Sequence, residues 1–216
     1  MTDVAECCRL NRRRQAIVAS ARALFIEQGY EHTTLGEIVE RAGGSLATVY
    51  KLFGNKDGLL EAAVLEPASS GDELVRAAME AGGTPSAILH RIAVSFDAHF
   101  LNSETVALFK IVIARSMSDR AFARQFFDRT VARTRSALER MFSTWHDRGL
   151  AVNGSPGLLA EFFLDQFVSD VHAEAMSHGR GIARTPERLN ARTEFFIAAA
   201  GLGDRVSNDT TGSDRR

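Results

Sequence analysis

Cysteine and long apolar runs are both scarce in this 216-residue chain, and each scarcity removes a class of protein. The two cysteines, Cys7 and Cys8, are adjacent, so they build neither a disulfide framework nor a four-ligand zinc site. No uninterrupted apolar stretch approaches the roughly 20 residues that span a bilayer, and the polar, basic start over 1–14 carries no apolar leader segment. A soluble, cytoplasmic protein with no membrane partner is expected. Alternating runs rich in Val, Ile and Thr are missing too, which leaves no convincing strand. Metal spacing is likewise absent: His90 and His99 lie nine apart, off a shared helix face, and His172 and His178 flank a helix end. Neither a metal nor a cofactor is expected. Asp165 and Gln166 sit among phenylalanines, but a single carboxylate without a partner suits a ligand anchor better than acid–base catalysis.

What is present is an ordinary globular composition, 45% hydrophobic and 25% charged, unevenly distributed. The net charge of −1 argues against nucleic acid until its placement is considered. Between positions 9 and 56 the basic residues are Arg9, Arg12, Arg13, Arg14, Arg22, Arg41, Lys51 and Lys56, against Glu27, Glu31, Glu37 and Glu40. A basic head on an acidic body fits DNA binding at one end, although such a charge run also fits a solvated face.

Apolar residues recur at three and four spacing almost throughout, so the fold class is all-α. Three of the four prolines follow a hydroxyl residue directly, at Thr84-Pro85, Ser155-Pro156 and Thr185-Pro186, and each pair reads as an N-cap followed by the first helical position. Helices follow over 85–101, 156–177 and 186–200. Further helices are expected over 104–116 and, as one long periodic segment, over 119–148, with a short one near 72–81 inside a broken stretch. The chain divides into a head at 11–66, a body at 67–202 and a tail from 203 whose composition suits disorder.

The head holds the most informative local pattern. A scaffold helix over about 10–28 ends at Gly29. Thr34-Leu35-Gly36-Glu37 is a capping box that starts a second helix at Leu35. Gly43 and Gly44 end it, and Ser45 caps a short third helix over 46–53. Two short helices around a tight turn make a helix-turn-helix, whose second member enters the major groove. Val49 and Phe53 should face inward, leaving Ala47, Thr48, Tyr50 and Lys51 outside with side chains suited to base edges and phosphates. Periodicity alone allows an ordinary amphipathic bundle helix equally well. Asn55 reads as the cap of a fourth helix, which places Lys56 at a helix N-terminus, where lysine and free amides together make an anion site.

The run Thr33-Thr34-Leu35-Gly36-Glu37-Ile38, followed by Ala42-Gly43-Gly44-Ser45-Leu46-Ala47-Thr48-Val49-Tyr50-Lys51-Leu52-Phe53-Gly54-Asn55-Lys56, resembles the TetR family of bacterial transcriptional regulators over about 13–65. It departs from the family pattern at Gly44, Leu46 and Leu52. The resemblance implies DNA contacts at Thr34, Ser45, Ala47, Thr48, Tyr50, Lys51 and Lys56. It also implies a three-helix DNA-binding domain followed by a larger helical domain that dimerises and binds a ligand. The expected function is a repressor that binds a double-stranded, palindromic operator as a homodimer and responds to a small hydrophobic effector.

Two other classes remain open beside it: a helical interaction protein that keeps the motif without reading DNA, and an enzyme using a cavity in the helical body. In the body, Phe96, His99, Phe100, Phe109, Ile113, Arg115, Trp145, Phe163, Asp165, Gln166, Phe167 and His172 are the candidate effector contacts, an aromatic lining with few polar groups. Leu159, Phe162, Phe163, Val171, Leu189 and Phe196, on the last two long helices, are the candidate dimer contacts, because their apolar density exceeds one core-facing stripe. The stretch from Glu61 to Glu66 is the expected coupling element between head and body.

Overall fold

The computed structural model describes residues 2–65, 71–150, 152–177, 180 and 183–203. Among these residues there are eleven α-helices and no strand. The first four are α1 (Thr2–Gln28), α2 (Leu35–Ala42), α3 (Leu46–Phe53) and α4 (Lys56–Leu65). The body adds α5 (Gly71–Glu80), α6 (Pro85–Phe100), α7 (Ser103–Ser118), α8 (Arg120–Arg129), α9 (Val131–Asp147), α10 (Pro156–Ser177) and α11 (Pro186–Ala199). The tail from 204 onward and the head–body boundary expected at 66/67 fall outside the described residues. No helix among the described residues is long and apolar enough to cross a membrane.

Local signals account for most starts. Thr84 and Thr185 accept from the amides of Ala87 and Arg188, with Pro85 and Pro186 in the first turn where no N–H is needed. The Ser155 hydroxyl accepts from the Leu158 amide at 3.4 Å, more loosely. Asn102 caps α7 through the Thr105 amide at 2.8 Å. Two expectations need correction. The first helix begins at Thr2, eight residues before the expected start. The segment over 119–148 is two helices: Asp119 caps α8, and the chain breaks at Thr130, with φ −116° and ψ −84°. There the Thr130 hydroxyl donates to the Phe126 carbonyl at 2.7 Å, the same back-bond that Thr134, Thr144 and Thr193 make within unbroken helices.

Two hydrophobic clusters organise the packing. One joins the head to part of the body: Ile17, Phe25, Ile38, Val49 and Leu60 share it with Leu108 and Val112 of α7 and with Phe122 and Phe126 of α8. The other is the body's own, built around Ile92, Phe96, Phe142, Trp145, Phe163 and Phe196. Helix α4 therefore does not merely link head to body. Its residues Leu59, Leu60, Ala62 and Ala63 are buried within the first cluster, which passes without interruption from α1–α3 into α7 and α8.

Candidate nucleic-acid interface and the body cavity

Helix α2 starts where the sequence places it. The Glu37 amide donates to Thr34 Oγ1 at 3.2 Å, and Glu37 Oε2 accepts the Thr34 amide at 2.7 Å, closing the capping box. The Thr34 amide, and after it the Thr34 hydroxyl donating to the same oxygen at 2.8 Å, hold the Glu37 carboxyl below its ordinary range. Gly43 ends the helix in the left-handed region, at φ 67°, a conformation that glycine adopts without strain. Arg13 of α1 donates to the Gly43 carbonyl at 2.6 Å, clamping the turn from behind.

Helix α3 is anchored by Val49, which is fully buried, with Leu52 and Phe53 partly so. The opposite face presents Ala47, Tyr50 (55% exposed) and Lys51 to solvent. Thr48 is half-buried: its amide donates to Ser45 Oγ at 3.3 Å and its hydroxyl lies 3.0 Å from the same atom. Asn55 caps α4 through the Gly58 amide at 2.8 Å. The Lys56 ammonium lies 4.2 Å from the Tyr30 ring centroid and 3.4 Å from the Glu31 carbonyl. Thr34, Ser45, Ala47, Tyr50 and Lys51 are thus each exposed, while Thr48 and Lys56 are half-buried.

The sequence missed how much of the head's positive charge is spent internally. Arg41 forms a two-pronged pair with Glu27 at 2.7 and 2.9 Å, and the Arg14 guanidinium stacks over Phe53 at 4.8 Å. A net-charge count could not separate these side chains from Lys51. Just behind α3, Asp57 of α4 accepts two bonds from Arg115 of α7, both 2.9 Å, and a third from the Tyr30 hydroxyl. The Arg115 guanidinium holds the Asp57 carboxyl below its ordinary range. Desolvation and the hydrogen bond to Asp57 push the Tyr30 hydroxyl up.

A cavity of about 70 Å³ lies on the seam between the two hydrophobic clusters. Val64 of α4, Phe109 of α7 and Phe126 of α8 form one side; Phe100, Leu164 and Val168 of the body form the other. Of the candidate effector residues, His99, Phe100 and Phe109 line it. The rest do not, and packing gives the reason. Phe96, Trp145, Phe163 and Phe167 are consumed in the body core. Arg115 is committed to Asp57 and Asp119. Asp165 is exposed, and His172 is exposed with its ring 6.3 Å from that of Phe109. Ile113 is half-buried away from the lining, and Gln166 lines a different depression. Burial pushes His99 down from its ordinary range, helped by the neighbouring Arg22 charge, so its ring is neutral at pH 7.

That other depression is an open groove of about 710 Å³ along α10 and α11. Leu158, Phe162 (61% exposed) and Phe195 (77% exposed) stand out along it. Of the candidate dimer residues, Phe162 projects into this groove, while Leu159 and Phe196 touch it from the buried side. Phe163 is enclosed in its own chain, Val171 faces the cavity, and Leu189 packs partly on the body core, so none of the three offers a free surface. Asp170, unremarked in the sequence, is buried and holds both Arg188 and Arg192 of α11. The spacing of those two arginines, four apart, was the available signal.

Residues 17–63 match a family model described as bacterial regulatory proteins, tetR family, and residues 87–198 match one described as AefR-like transcriptional repressor, C-terminal domain. The chain is similar over 90% of its length to 99% of a crystal structure of a TetR-family transcriptional regulator from Mesorhizobium loti, with a TM-score of 0.74 and 27% identity. It is 36% identical over 96 residues to the transcriptional regulator BetI of Rhizobium meliloti, covering 44% of this chain and 47% of that protein. It is 37% identical over 67 residues to the transcriptional repressor ComR of Escherichia coli, 28% of this chain and 32% of that one. The chain thus spans less than half the length of these two curated relatives.

Proposed function

The chain belongs to the TetR family of bacterial regulatory proteins, a family of transcriptional regulators rather than enzymes, and from that premise we propose that it represses transcription by binding a palindromic duplex operator as a homodimer. The observation that carries this reading is the outer face of α3, where Ala47, Tyr50 and Lys51 project from a helix anchored by Val49. A small side chain, an aromatic hydroxyl and an unengaged cation on one helix face suit close backbone approach, a phosphate and guanine O6 or N7 respectively. Repression follows the description matched by the body and the printed name of the Escherichia coli relative.

Dimerisation is supported by the ridge of Leu158, Phe162 and Phe195. Two heads related by a two-fold axis meet half-sites about one helical turn, roughly 34 Å, apart or a multiple of it. The effector is a small, mainly apolar molecule, received in the cavity between the clusters. It can alter DNA affinity only by binding two arrangements unequally.

The test is binding of the purified chain to the DNA flanking its own gene, measured against scrambled duplex at several salt concentrations. Specific binding with a steep salt dependence is expected. Lys51→Ala should lower the operator preference through about 1 to 3 kcal/mol at particular base pairs. Equal affinity for operator and scrambled DNA would refute sequence reading by this surface.

A further inference from the structure

At about 70 Å³ the cavity is far below the roughly 300 Å³ at which ligand pockets begin, so any effector must part the seam to enter. The side chain best placed to respond is Arg129, the last residue of α8, which lines the cavity and reaches across to α4. Its Nη1 lies 2.8 Å from Oε1 of Glu61. Glu61 is buried, and that oxygen makes no hydrogen bond of good geometry; the other carboxylate oxygen accepts only a 3.3 Å bond from Gln125. The pair is therefore close in charge yet poorly aligned. Such a contact supplies attraction without repaying the full cost of burying the carboxylate.

The remaining polar lining offers no second cation, and most of it is engaged. Thr130 and Thr134 hydroxyls donate to the carbonyls of Phe126 and Thr130, at 2.7 and 3.1 Å. Thr105 Oγ1 accepts from Asn102 at 2.8 Å, and Asp72 is paired with Arg133 at 2.7 Å. His99 is neutral and brings no charge. Burial, and after it the nearby Arg129 charge, pushes the Arg14 guanidinium down, so a second cation lies within electrostatic reach of Arg129. Glu61, for its part, has its carboxyl pushed up by burial, with Arg129 opposing, so loss of Arg129 removes the charge that favours its ionised form.

We propose that the cavity takes a monoanionic amphiphile, an apolar chain or ring ending in one carboxylate, and that this carboxylate claims Arg129 from Glu61 and so unfastens α4 from α8. The proposal rests on the cavity being the effector site. The apolar part of the ligand fills the opened seam against Phe100, Phe109, Phe126 and Leu164, while its carboxylate meets the guanidinium in the two-pronged geometry that Glu61 does not achieve. A second carboxylate would find no cation among the lining residues. A cationic ligand would have to displace Arg133 from Asp72 while facing Arg129.

The test uses the full chain and three probes of one shape: 4-phenylbutanoate, 4-phenylbutanamide and 4-phenylbutylamine, titrated calorimetrically. The acid should bind at least tenfold tighter than either analogue. Arg129→Gln should reduce the acid to the affinity of the amide, and Arg129→Lys should restore part of the preference. Glu61→Gln should strengthen the acid several-fold and leave the amide unchanged. Because Arg129→Gln strands a buried carboxylate, the pair E61Q/R129Q serves if the single variant fails to fold; it too should bind acid and amide equally. Hydrogen exchange over residues 56–65 should quicken with the acid alone. If the amide binds as tightly as the acid, the ligand class is wrong while the cavity reading stands. If none of the three binds the folded chain, both fail together. An acid preference that survives in E61Q/R129Q would overturn the role of Arg129.

Discussion

Removing the carboxylate charge from Asp57 should loosen the head from the body by a calculable amount. In the parent chain Asp57 accepts two parallel bonds from Arg115, both 2.9 Å, and one from the Tyr30 hydroxyl, so that α4, α7 and the loop after α1 meet at one carboxylate. The side chains are 30% and 23% exposed, which places the pair between a screened surface bridge and a buried one. Hydrogen bonds to charged groups are worth about 1.5–3 kcal/mol net, and partial exposure trims the sum, so Asp57→Asn should cost about 2 kcal/mol. For a chain of this size each kcal/mol shifts Tm by about 2–4 °C, giving a loss of roughly 4–8 °C at pH 7. The pH dependence has a definite sign. Arg115 holds the Asp57 carboxyl below its unfolded value, so its contribution is full above about pH 4 and disappears as the pH falls through the depressed folded value. Melting curves of parent and Asp57→Asn, followed by circular dichroism from pH 7 to pH 2.5, should therefore converge in acid. A Tm difference under about 1 °C at pH 7, or a gap that persists undiminished at low pH, would refute the reasoning.

Gly58→Ala should be far worse than a helix-propensity argument suggests, because its Cβ would lie 2.1 Å from the Phe53 carbonyl oxygen. Unfolding should show a loss of about 1–3 kcal/mol or more, and operator binding should fall with it, since the end of α3 must move. Gly44→Ala should do the opposite. The nearest atoms to its Cβ are 3.6 Å away or farther, so denaturant titration should show a gain of about 0.4–1 kcal/mol through the less flexible unfolded chain. Phe162→Glu should give a folded monomer by light scattering, whereas Phe163→Ala should cost about 3–5 kcal/mol of stability by opening a cavity in the body core. A Phe162→Glu chain that remains dimeric would remove the α10–α11 ridge from the interface.

What was legible in the sequence was what is local. A capping box spans four residues, and Thr34 with Glu37, Ser45 with Thr48, Asn55 with Gly58 and the Thr-Pro starts all follow from chemistry between near neighbours. The break at Thr130 was hidden because the apolar period continues on both sides of it, and the backbone turn at φ −116°, ψ −84° carries no glycine or proline to mark it. The use of Arg115 was hidden for the opposite reason: its partner Asp57 lies 58 residues away, and nothing near either residue announces the pair.

The hardest feature was helical phase, and α10 shows why. Its residues form three stripes: Leu158 and Phe162 toward the open groove, Leu159, Phe163 and Phe167 into the body core, and Leu164, Val168 and Val171 toward the cavity. Adjacent residues on a helix differ by about 100° in direction, so Phe162 and Phe163 face different partners although they are the same amino acid. Periodicity finds an apolar helix but cannot tell which stripe meets which neighbour when all three are apolar. That assignment comes from α9 and α7 packing against α10 and from the Asp170 pairs with Arg188 and Arg192 fixing α11 beside it. The same argument explains the cavity. A helix with apolar residues on all three stripes places Leu164 and Val168 at the cavity and Phe162 on the proposed dimer surface, so a ligand at the proposed effector site would press on the same element that carries Phe162.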